Sequence, residues 1–193
     1  CTLYLADLGA DVVKIEDTGA GDYARSIGAR TDAPSAFFRN INRGKRSLAI
    51  DLKATQGRDC ALALARTADV VVEGFRPGVM AALGLDYPAI DARNPRIVYA
   101  SISGYGQTGP RAAMAGHDIN YLGYAGVLGR TGSAGGAPAL CNLQIADLLG
   151  GAASPAIAIL AALVGVARHG RGARIDVAMT DAVLAHQHFA LQA

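Results

Sequence analysis

Apolar and polar residues along the chain follow two periods, one typical of strands and one typical of helices. Strand patterns occupy 12–16 ("VVKIE"), 47–52 ("SLAIDL"), 70–74 ("VVVEG"), 97–103 ("IVYASIS") and 174–179 ("RIDVAM"). Helical patterns occupy 54–68, 116–126, 144–168 and 180–191, with a helix end at 3–8 closed by Gly9 and short helices after 76–78 and within 85–95. Because strands and helices alternate, we predict parallel β-α-β units and an α/β fold with a doubly wound parallel sheet.

The carboxyl ends of the predicted strands indicate where a ligand would bind, since doubly wound sheets hold their ligands outside those ends. Here the ends carry Glu16, residues 52–53, residues 73–76 and the glycine-rich turn 104–107. The long connection 17–46 is predicted to be a loop region that ends in the basic run "NRGKR".

One helical segment also has the composition of a membrane span. Residues 148–167 contain no charge over twenty positions, which meets the length criterion for crossing a bilayer. The segment is rich in Ala and Gly, contains Pro155 and directly follows Asp147. It lies between α/β elements whose sheet must be covered on both faces. We therefore predict a buried core helix and no membrane association.

Composition narrows the class of protein further. The chain has 193 residues, of which 51% are hydrophobic and 18% are charged, which is typical of a globular protein with a sizeable core. A net charge of +2 is too small to indicate nucleic-acid binding. Three cysteines without metal-ligand spacing indicate reduced thiols in an intracellular protein and no metal site. The chain starts with Cys and both ends fall within helical patterns, so we interpret it as part of a longer protein.

His117, in "AGHDINYL", is the first candidate for acid–base chemistry. A histidine at a helix start is more often a capping or packing residue than a catalyst, but its ordinary pKa lies near neutrality. Tyr121 follows four residues later on the same helical face. The two side chains are therefore predicted to face one polar pocket wall.

Asp147, in "QIADLLGG", is the second candidate because it begins a long apolar helix. An aspartate there is stabilised by the helix dipole and needs no function. Its apolar neighbours predict partial loss of water, which raises a carboxyl pKa, whereas the helix start lowers it. That opposition can keep a carboxylate ionised and reactive. The glycines at 150–151 would admit another backbone or a ligand at close range.

The remaining charged residues are interpreted by their position. Arg43 and Lys45 are expected to lie on a solvated face, and Glu16, Asp17 and Asp22 are expected to be solvated in loops and at strand ends. Lys53 and Arg76 fall at carboxyl ends of strands, where a phosphate-bearing ligand would lie. The turn "GYGQTG" lacks the glycine spacing of phosphate-binding loops, and the nucleophile motif G-x-S-x-G does not occur.

Several segments in order resemble the family III coenzyme A transferases (CaiB/BaiF): "LADLGADVVKIED", "NRGKRSLAIDLK", "ADVVVEGFRPGVMAALGL", "NPRIVYASISGYGQTGP" and "GRGARIDVAMTDAVL". "AGHDINYL", followed thirty residues after its His by the Asp of "QIADLLGG", resembles the α-methylacyl-CoA racemase branch. The resemblance spans nearly the whole chain. It implies that residues 1–193 are a CoA-binding, Rossmann-like large domain with a central helical part. It also implies that a second, smaller domain is largely missing here, and that the protein is an interlocked homodimer with its active site between protomers.

The resemblance implies roles for individual residues. His117 and Asp147 match the paired acid–base residues of the racemases, and Tyr121 falls beside the thioester and pantetheine. The segments that match the nucleotide-holding parts are Ile50, Asp51, Leu52, Lys53, Gly74, Phe75 and Arg76. Asp17 and Ala82 stand where many members have phosphate-binding arginines, so the other cations are expected to contribute more. Coenzyme A enters as part of an acyl-CoA substrate, and no prosthetic group is implied.

Three functions are consistent with these residues. The first is inversion of the α-carbon of a 2-methylacyl-CoA, with His117 and Asp147 exchanging protons on opposite faces through an enolate. A backbone N–H at the start of the Asp147 helix is our hypothesis for the enolate's hydrogen-bond donor. The second is CoA transfer between an acyl-CoA and a carboxylic acid through an anhydride on Asp147, which does not need His117. The third is a CoA-binding or dimerisation module without catalysis. For each we expect a cytoplasmic protein.

Overall fold

The structure is a computed structural model that describes residues 1–28, 34–188 and 191. Within these residues the strands are β1 (Val13–Glu16), β2 (Arg46–Ala49), β3 (Val70–Glu73), β4 (Val98–Ser103) and β5 (Ala173–Ala178). The α-helices are α1 (Thr2–Asp7), α2 (Ala36–Asn42), α3 (Thr55–Ala65), α4 (Val79–Ala82), α5 (Tyr87–Asp91), α6 (Asp118–Tyr124), α7 (Ser154–His169) and α8 (Met179–Leu184). Tyr23–Ser26 and Leu128–Arg130 form 3-10 turns, and Ala146–Ala153 is a π-helix, called here the π segment. The helix predicted over 180–191 ends at Leu184, and its last positions lie partly outside the described residues.

The strand pairings are parallel, as the alternation of strands and helices predicted. β1 pairs with β2, and β4 lies between β3 and β5, with Val98 opposite both Val70 and Ala173. The described strands therefore form a two-stranded and a three-stranded sheet rather than one continuous sheet. The two sheets share a core, because Ile15 of β1 packs against the cluster that contains Tyr99 of β4.

Helices cover both faces of the three-stranded sheet, which confirms the doubly wound architecture. Successive residues of β4 point to opposite faces. Val98 and Ala100 are fully buried in a cluster with Leu5 of α1 and Ile159 of α7. Tyr99 is buried in a second cluster with residues of α3 and α5. Packing on both faces therefore fixes β4, and the turn 104–107 that follows it lies at the carboxyl edge of the sheet.

Residues 36–42 are helical, so the prediction of a continuous loop over 17–46 is wrong there. Ser35 begins this helix, and its hydroxyl accepts the amide N–H of Phe38 at 3.0 Å. Phe38 is buried, and the Arg25 guanidinium lies 4.0 Å from the centroid of its ring. Packing by this one aromatic residue stabilises a helix too short to show helical periodicity in the sequence.

Glu16 is buried rather than solvated, which contradicts the sequence prediction. Its carboxylate accepts two hydrogen bonds from Arg25 at 2.7 and 2.9 Å, one from the Ser47 hydroxyl at 2.7 Å and one from the Asp22 amide at 3.0 Å. Asp22 in turn pairs with Lys14 at 2.7 Å, so it is not simply solvated either. The Arg25 bonds, aided by the other donors and opposed by burial, lower the pKa of Glu16 to about 2.

The helix predicted over 144–168 has two geometries, π-helical in the π segment and α-helical in α7. The sheet covers only one face of α7. Ile159 on that face is fully buried, whereas the side chain of Ile157 is 68% exposed. The prediction of a buried core helix is therefore wrong for the outer face. By length and composition Ala146–His169 would be able to cross a membrane.

Candidate active site

A cavity of about 240 Å³ lies at the carboxyl ends of β3 and β4. Its walls come from the residues after each strand, from the segment 112–117 and from Tyr121 of α6. The predicted site residues that line it are Gly74, Phe75, Arg76, His117 and Tyr121. The structure therefore brings together one predicted nucleotide-holding segment and the histidine end of α6, at the edge where a doubly wound sheet binds ligands.

Tyr121 forms the buried wall of this cavity and is only 6% exposed. Its hydroxyl donates to the Gly116 carbonyl at 2.5 Å, and its ring meets Tyr105 edge-on with 5.2 Å between centroids. A Cβ on Gly104 would overlap the ring, and a Cβ on Gly116 would lie 2.7 Å from Cε1 of Tyr121. Burial, Tyr105 and the charge of Asp147 raise the pKa of Tyr121, so its hydroxyl stays protonated. Glycine at both positions makes room for the ring.

His117 is the N-cap residue of α6 and is exposed at the cavity. Its backbone amide donates to Asn120 Oδ1 at 2.9 Å, and its carbonyl accepts the amide N–H of Asn120 at 2.8 Å. These reciprocal bonds fix the backbone of His117 at the helix start. His117 therefore begins α6 and also borders the cavity, so its position at the helix start does not prevent it from facing a ligand.

Asp147 does not line this cavity, but it is joined to the same end of α6. Its backbone N–H donates to Asp118 Oδ1 at 3.0 Å. The pKa of its carboxyl is raised, first because protein atoms displace water and then by the charge of Asp118, while His117 opposes the rise. Asp147 itself is exposed, so the rise reflects protein on one side of the carboxyl rather than enclosure. The geometric link between Asp147 and the start of α6 is the hydrogen bond from its backbone N–H to Asp118.

The hydrogen bond to Asp118 also bears on the hypothesis for the enolate donor. The N–H of Asp147 is already donated to a carboxylate oxygen in this structure, so it is not free for a substrate oxygen. Two other donors lie at the cavity. Ser103 and Tyr105 line it, and neither buried hydroxyl has a hydrogen-bond partner among the residues that the structure describes.

Of the paired glycines in the π segment, Gly150 lies against another backbone, one of the two alternatives that the sequence left open, and Gly151 lies against a side chain. A Cβ on Gly150 would lie 2.8 Å from the Met179 carbonyl oxygen, and one on Gly151 would lie 2.9 Å from Met179 Sδ. Met179 also lines the cavity. The π segment therefore packs directly behind a cavity wall, which explains why small residues follow Asp147.

The segment 50–53 does not reach this cavity. Ile50 and Leu52 pack against the core cluster of α3 and α5. Asp51 closes a turn in which Oδ1 accepts the Lys53 amide at 2.9 Å, and a Cβ on Gly57 would overlap the Asp51 carbonyl. The Lys53 side chain is exposed at the end of this turn. Any ligand that uses both Lys53 and the cavity must extend along the edge of the sheets.

The basic residues considered in the sequence differ in whether they are already paired. Arg43 and Arg46 each form an ion pair with an aspartate, at Asp7 and Asp11 respectively. Throughout 1–28, 34–188 and 191, no side chain forms an ion pair or hydrogen bond with the side chains of Lys53 or Arg76. Within these ranges an anionic ligand would therefore not compete with a protein carboxylate for either cation. Across the same ranges no group of three metal-ligating side chains occurs.

Two features of the site were not predicted from the sequence. The bond between Asp118 and Asp147 joins residues 29 positions apart, and no local pattern indicates it. The unpartnered hydroxyls of Ser103 and Tyr105 follow from packing after β4. The one available signal was the glycine-rich turn itself, since glycines on both sides of Tyr105 favour close approach of the backbone.

Known proteins resemble this chain in sequence and in fold. Residues 1–193 match the family described as CoA-transferase family III. Curated relatives include the succinate–glutarate CoA-transferase of Agrobacterium fabrum, 42% identical over 95% of this chain and 48% of that protein. They also include the Homo sapiens alpha-methylacyl-CoA racemase, 40% identical over 94% of this chain and 44% of that protein. The crystal structure of a CAIB/BAIF family protein from Brucella suis superimposes with a TM-score of 0.92 at 37% identity, over 98% of this chain and 51% of its own. The chain spans about half the length of the curated relatives it matches.

Proposed function

The chain belongs to CoA-transferase family III, and from that membership we propose that the full-length protein inverts the α-carbon of 2-methylacyl-CoA thioesters. The observation that supports this most is the position of His117 at the cavity, with Asp118 joining the same helix start to Asp147. Similarity to an alpha-methylacyl-CoA racemase agrees with the proposal. Similarity to CoA-transferases is equally strong, so the choice between the two rests on His117.

In the proposed reaction one group removes the α-proton and the other returns a proton to the opposite face. A neutral imidazole at His117 serves one epimer as base, and the Asp147 carboxylate serves the other. The raised pKa of Asp147 suits this role, because a more basic carboxylate takes a carbon-bound proton more readily. After one turnover each group holds the proton state that the opposite epimer requires.

The enolate formed between the two transfers needs hydrogen-bond donors aimed at its oxygen. We assign this role to the hydroxyls of Ser103 and Tyr105, which line the cavity and lack partners among the described residues. A buried hydroxyl without a partner costs free energy that a bound oxygen recovers. Burial raises the pKa of Tyr105, so the phenol remains a donor.

Coenzyme A is held in this proposal as part of the substrate, without a prosthetic group. Arg76 lies at the cavity and Lys53 follows β2 outside it, so we propose that both charges meet phosphates of an extended nucleotide. We further propose, from the family resemblance, that the full-length protein is a homodimer whose second protomer completes the site.

The second candidate function is CoA transfer. In this reaction the Asp147 carboxylate attacks the thioester and forms a mixed anhydride, and the released CoA thiolate then attacks the aspartyl carbonyl, which frees the first carboxylic acid and leaves CoA as a thioester on Asp147. The acceptor carboxylate attacks that thioester to form a second anhydride, and the thiolate then takes the new acyl group and regenerates Asp147. The exposure of Asp147 favours this alternative, because a nucleophile must be reached by two successive acids. A third candidate is a CoA-binding module without catalysis.

Incubation of the full-length protein with one epimer of a 2-methylacyl-CoA in D₂O separates the three. The racemase predicts deuterium at the α-carbon and loss of optical purity without any acyl acceptor. CoA transfer to an added carboxylic acid, with no α-exchange, would contradict the racemase and support the transferase. Binding of CoA without either reaction would support the third candidate, a CoA-binding module without catalysis.

A further inference from the structure

We propose that Asp118 is a positioning residue that holds Asp147 at a fixed separation from His117. This proposal rests on the proposed function above. Asp118 directly follows His117 in the sequence, and its Oδ1 accepts the Asp147 backbone N–H at 3.0 Å. Asp118 is therefore linked to His117 by a peptide bond and to Asp147 by a hydrogen bond.

The hydrogen bond supplies an acceptor for an N–H group at the start of the π segment. The first N–H groups of a helical segment have no acceptor within it. Asp147 is the second residue of the π segment, so its N–H requires an acceptor from elsewhere. A carboxylate is a stronger acceptor than a neutral oxygen, so Asp118 suits this position although the bond is exposed to water. The bond thus anchors the start of the π segment to the start of α6.

Asp118 also acts on the Asp147 carboxyl through its charge. Within the part of the chain that the structure describes, Asp118 and His117 are the charged groups that act on this carboxyl. The negative charge of Asp118 adds to the loss of water in raising the pKa of Asp147, and His117 opposes both. Asp118 therefore has two separable effects, one from the hydrogen bond and one from the charge.

Two substitutions separate these effects. Asp118→Asn keeps an oxygen acceptor and removes the charge, so kcat at the pH optimum should stay within about three-fold of wild type. The acid limb of its pH–rate profile should move to lower pH, because the neighbouring charge that favours protonated Asp147 is gone. Asp118→Ala removes the acceptor as well, so kcat should fall by about ten-fold or more with KM little changed.

Asp86→Ala is the matched control. Asp86 is also a half-buried aspartate at a helix start, where its Oδ1 accepts the Ala89 amide, but it belongs to α5 on the far side of the core. The Asp86→Ala variant should have the same kcat and the same acid limb of the pH–rate profile as wild type. Equal losses in Asp86→Ala and Asp118→Ala would overturn the positioning role, since general destabilisation would then explain both.

The proposal can also be tested without activity. Amide hydrogen exchange of the full-length protein should be faster at Asp147 in Asp118→Ala than in wild type or in Asp118→Asn. Unchanged exchange in Asp118→Ala would overturn the proposal, as would an unmoved acid limb in Asp118→Asn. If Asp118→Ala does not fold, the acid limb of Asp118→Asn decides. A wild-type protein that shows no racemisation would refute the proposed function, while the exchange measurement would still decide the role of Asp118.

Discussion

Gly104 and Tyr121 lie so close together that a side chain on the glycine would occupy the space of the tyrosine ring. Gly104 follows the last residue of β4, and Tyr121 lies on α6, so this contact joins the central strand to the helix that carries His117 at its start. The carbonyl of Gly104 also accepts the Thr180 hydroxyl at 2.8 Å. The cavity wall therefore depends on a residue without a side chain.

Replacing Gly104 should disturb the site and the fold together. In Gly104→Ala the new methyl group displaces the Tyr121 ring, and overpacking of this kind costs about 1–3 kcal/mol. Gly123→Ala is the control, because a Cβ on Gly123 meets nothing within 4 Å. Urea unfolding should show a lower free energy of unfolding for Gly104→Ala and no loss for Gly123→Ala. Equal stabilities would mean that Tyr121 adapts without cost.

The Glu16–Arg25 network should make stability depend on pH below neutrality. The pKa of Glu16 is lowered to about 2, so its contribution is complete above its unfolded pKa and is lost as the pH falls from there towards 2. Above pH 5, Glu16→Gln should lower the free energy of unfolding by about 2 kcal/mol. This value is smaller than the pKa shift alone would give, because water reaches Arg25 and weakens its interaction with Glu16.

That difference should shrink as the pH approaches 2, measured by urea unfolding at a series of pH values. Asp17→Asn serves as the control, because Asp17 is exposed and its carboxylate accepts the amide N–H of the nearby Gly19. A Glu16→Gln difference that is the same at pH 3 and pH 7 would show that packing, not ionisation, explains the loss.

Arg76 should contribute to binding of coenzyme A through its unpaired charge. Arg76→Ala is expected to weaken CoA binding by about ten-fold, since charge-assisted hydrogen bonds to phosphate are among the stronger ones. Arg43→Ala is the control, because Arg43 is already paired with Asp7. Calorimetric titration of the full-length protein with CoA would show the difference. Equal weakening by both substitutions would indicate a diffuse electrostatic effect in place of a contact at the cavity.

The sequence predicted those parts of the fold that depend on local pattern. The five strand positions and the parallel pairing follow from short apolar runs separated by helices, and the structure confirms them. The helix α2 was missed because its seven residues depend on one cap at Ser35 and one buried ring at Phe38. Such short elements are fixed by tertiary contacts rather than by periodicity.

The site was predictable only in part, for the same reason. The position of Gly74–Arg76 at the edge of the sheet follows from where β3 ends, whereas the meeting of this segment with His117 and Tyr121 was implied only by the family resemblance. Neither the burial of Glu16 nor the bond from Asp147 to Asp118 could be predicted, because Glu16 and Arg25 are 9 positions apart in the chain and Asp118 and Asp147 are 29 positions apart. Long-range hydrogen bonds leave no signature in one sequence. The catalytic roles of His117 and Asp147 stay predictions.

Stereospecific proton exchange in two variants tests the two-base account most directly. His117→Gln and Asp147→Asn of the full-length protein would each be incubated in D₂O with each pure epimer of a 2-methylacyl-CoA. Neither variant should invert the α-carbon, and each should exchange the α-proton of one epimer only, with opposite epimers for the two variants. Inversion that persists in His117→Gln, or exchange of the same epimer by both variants, would contradict the account.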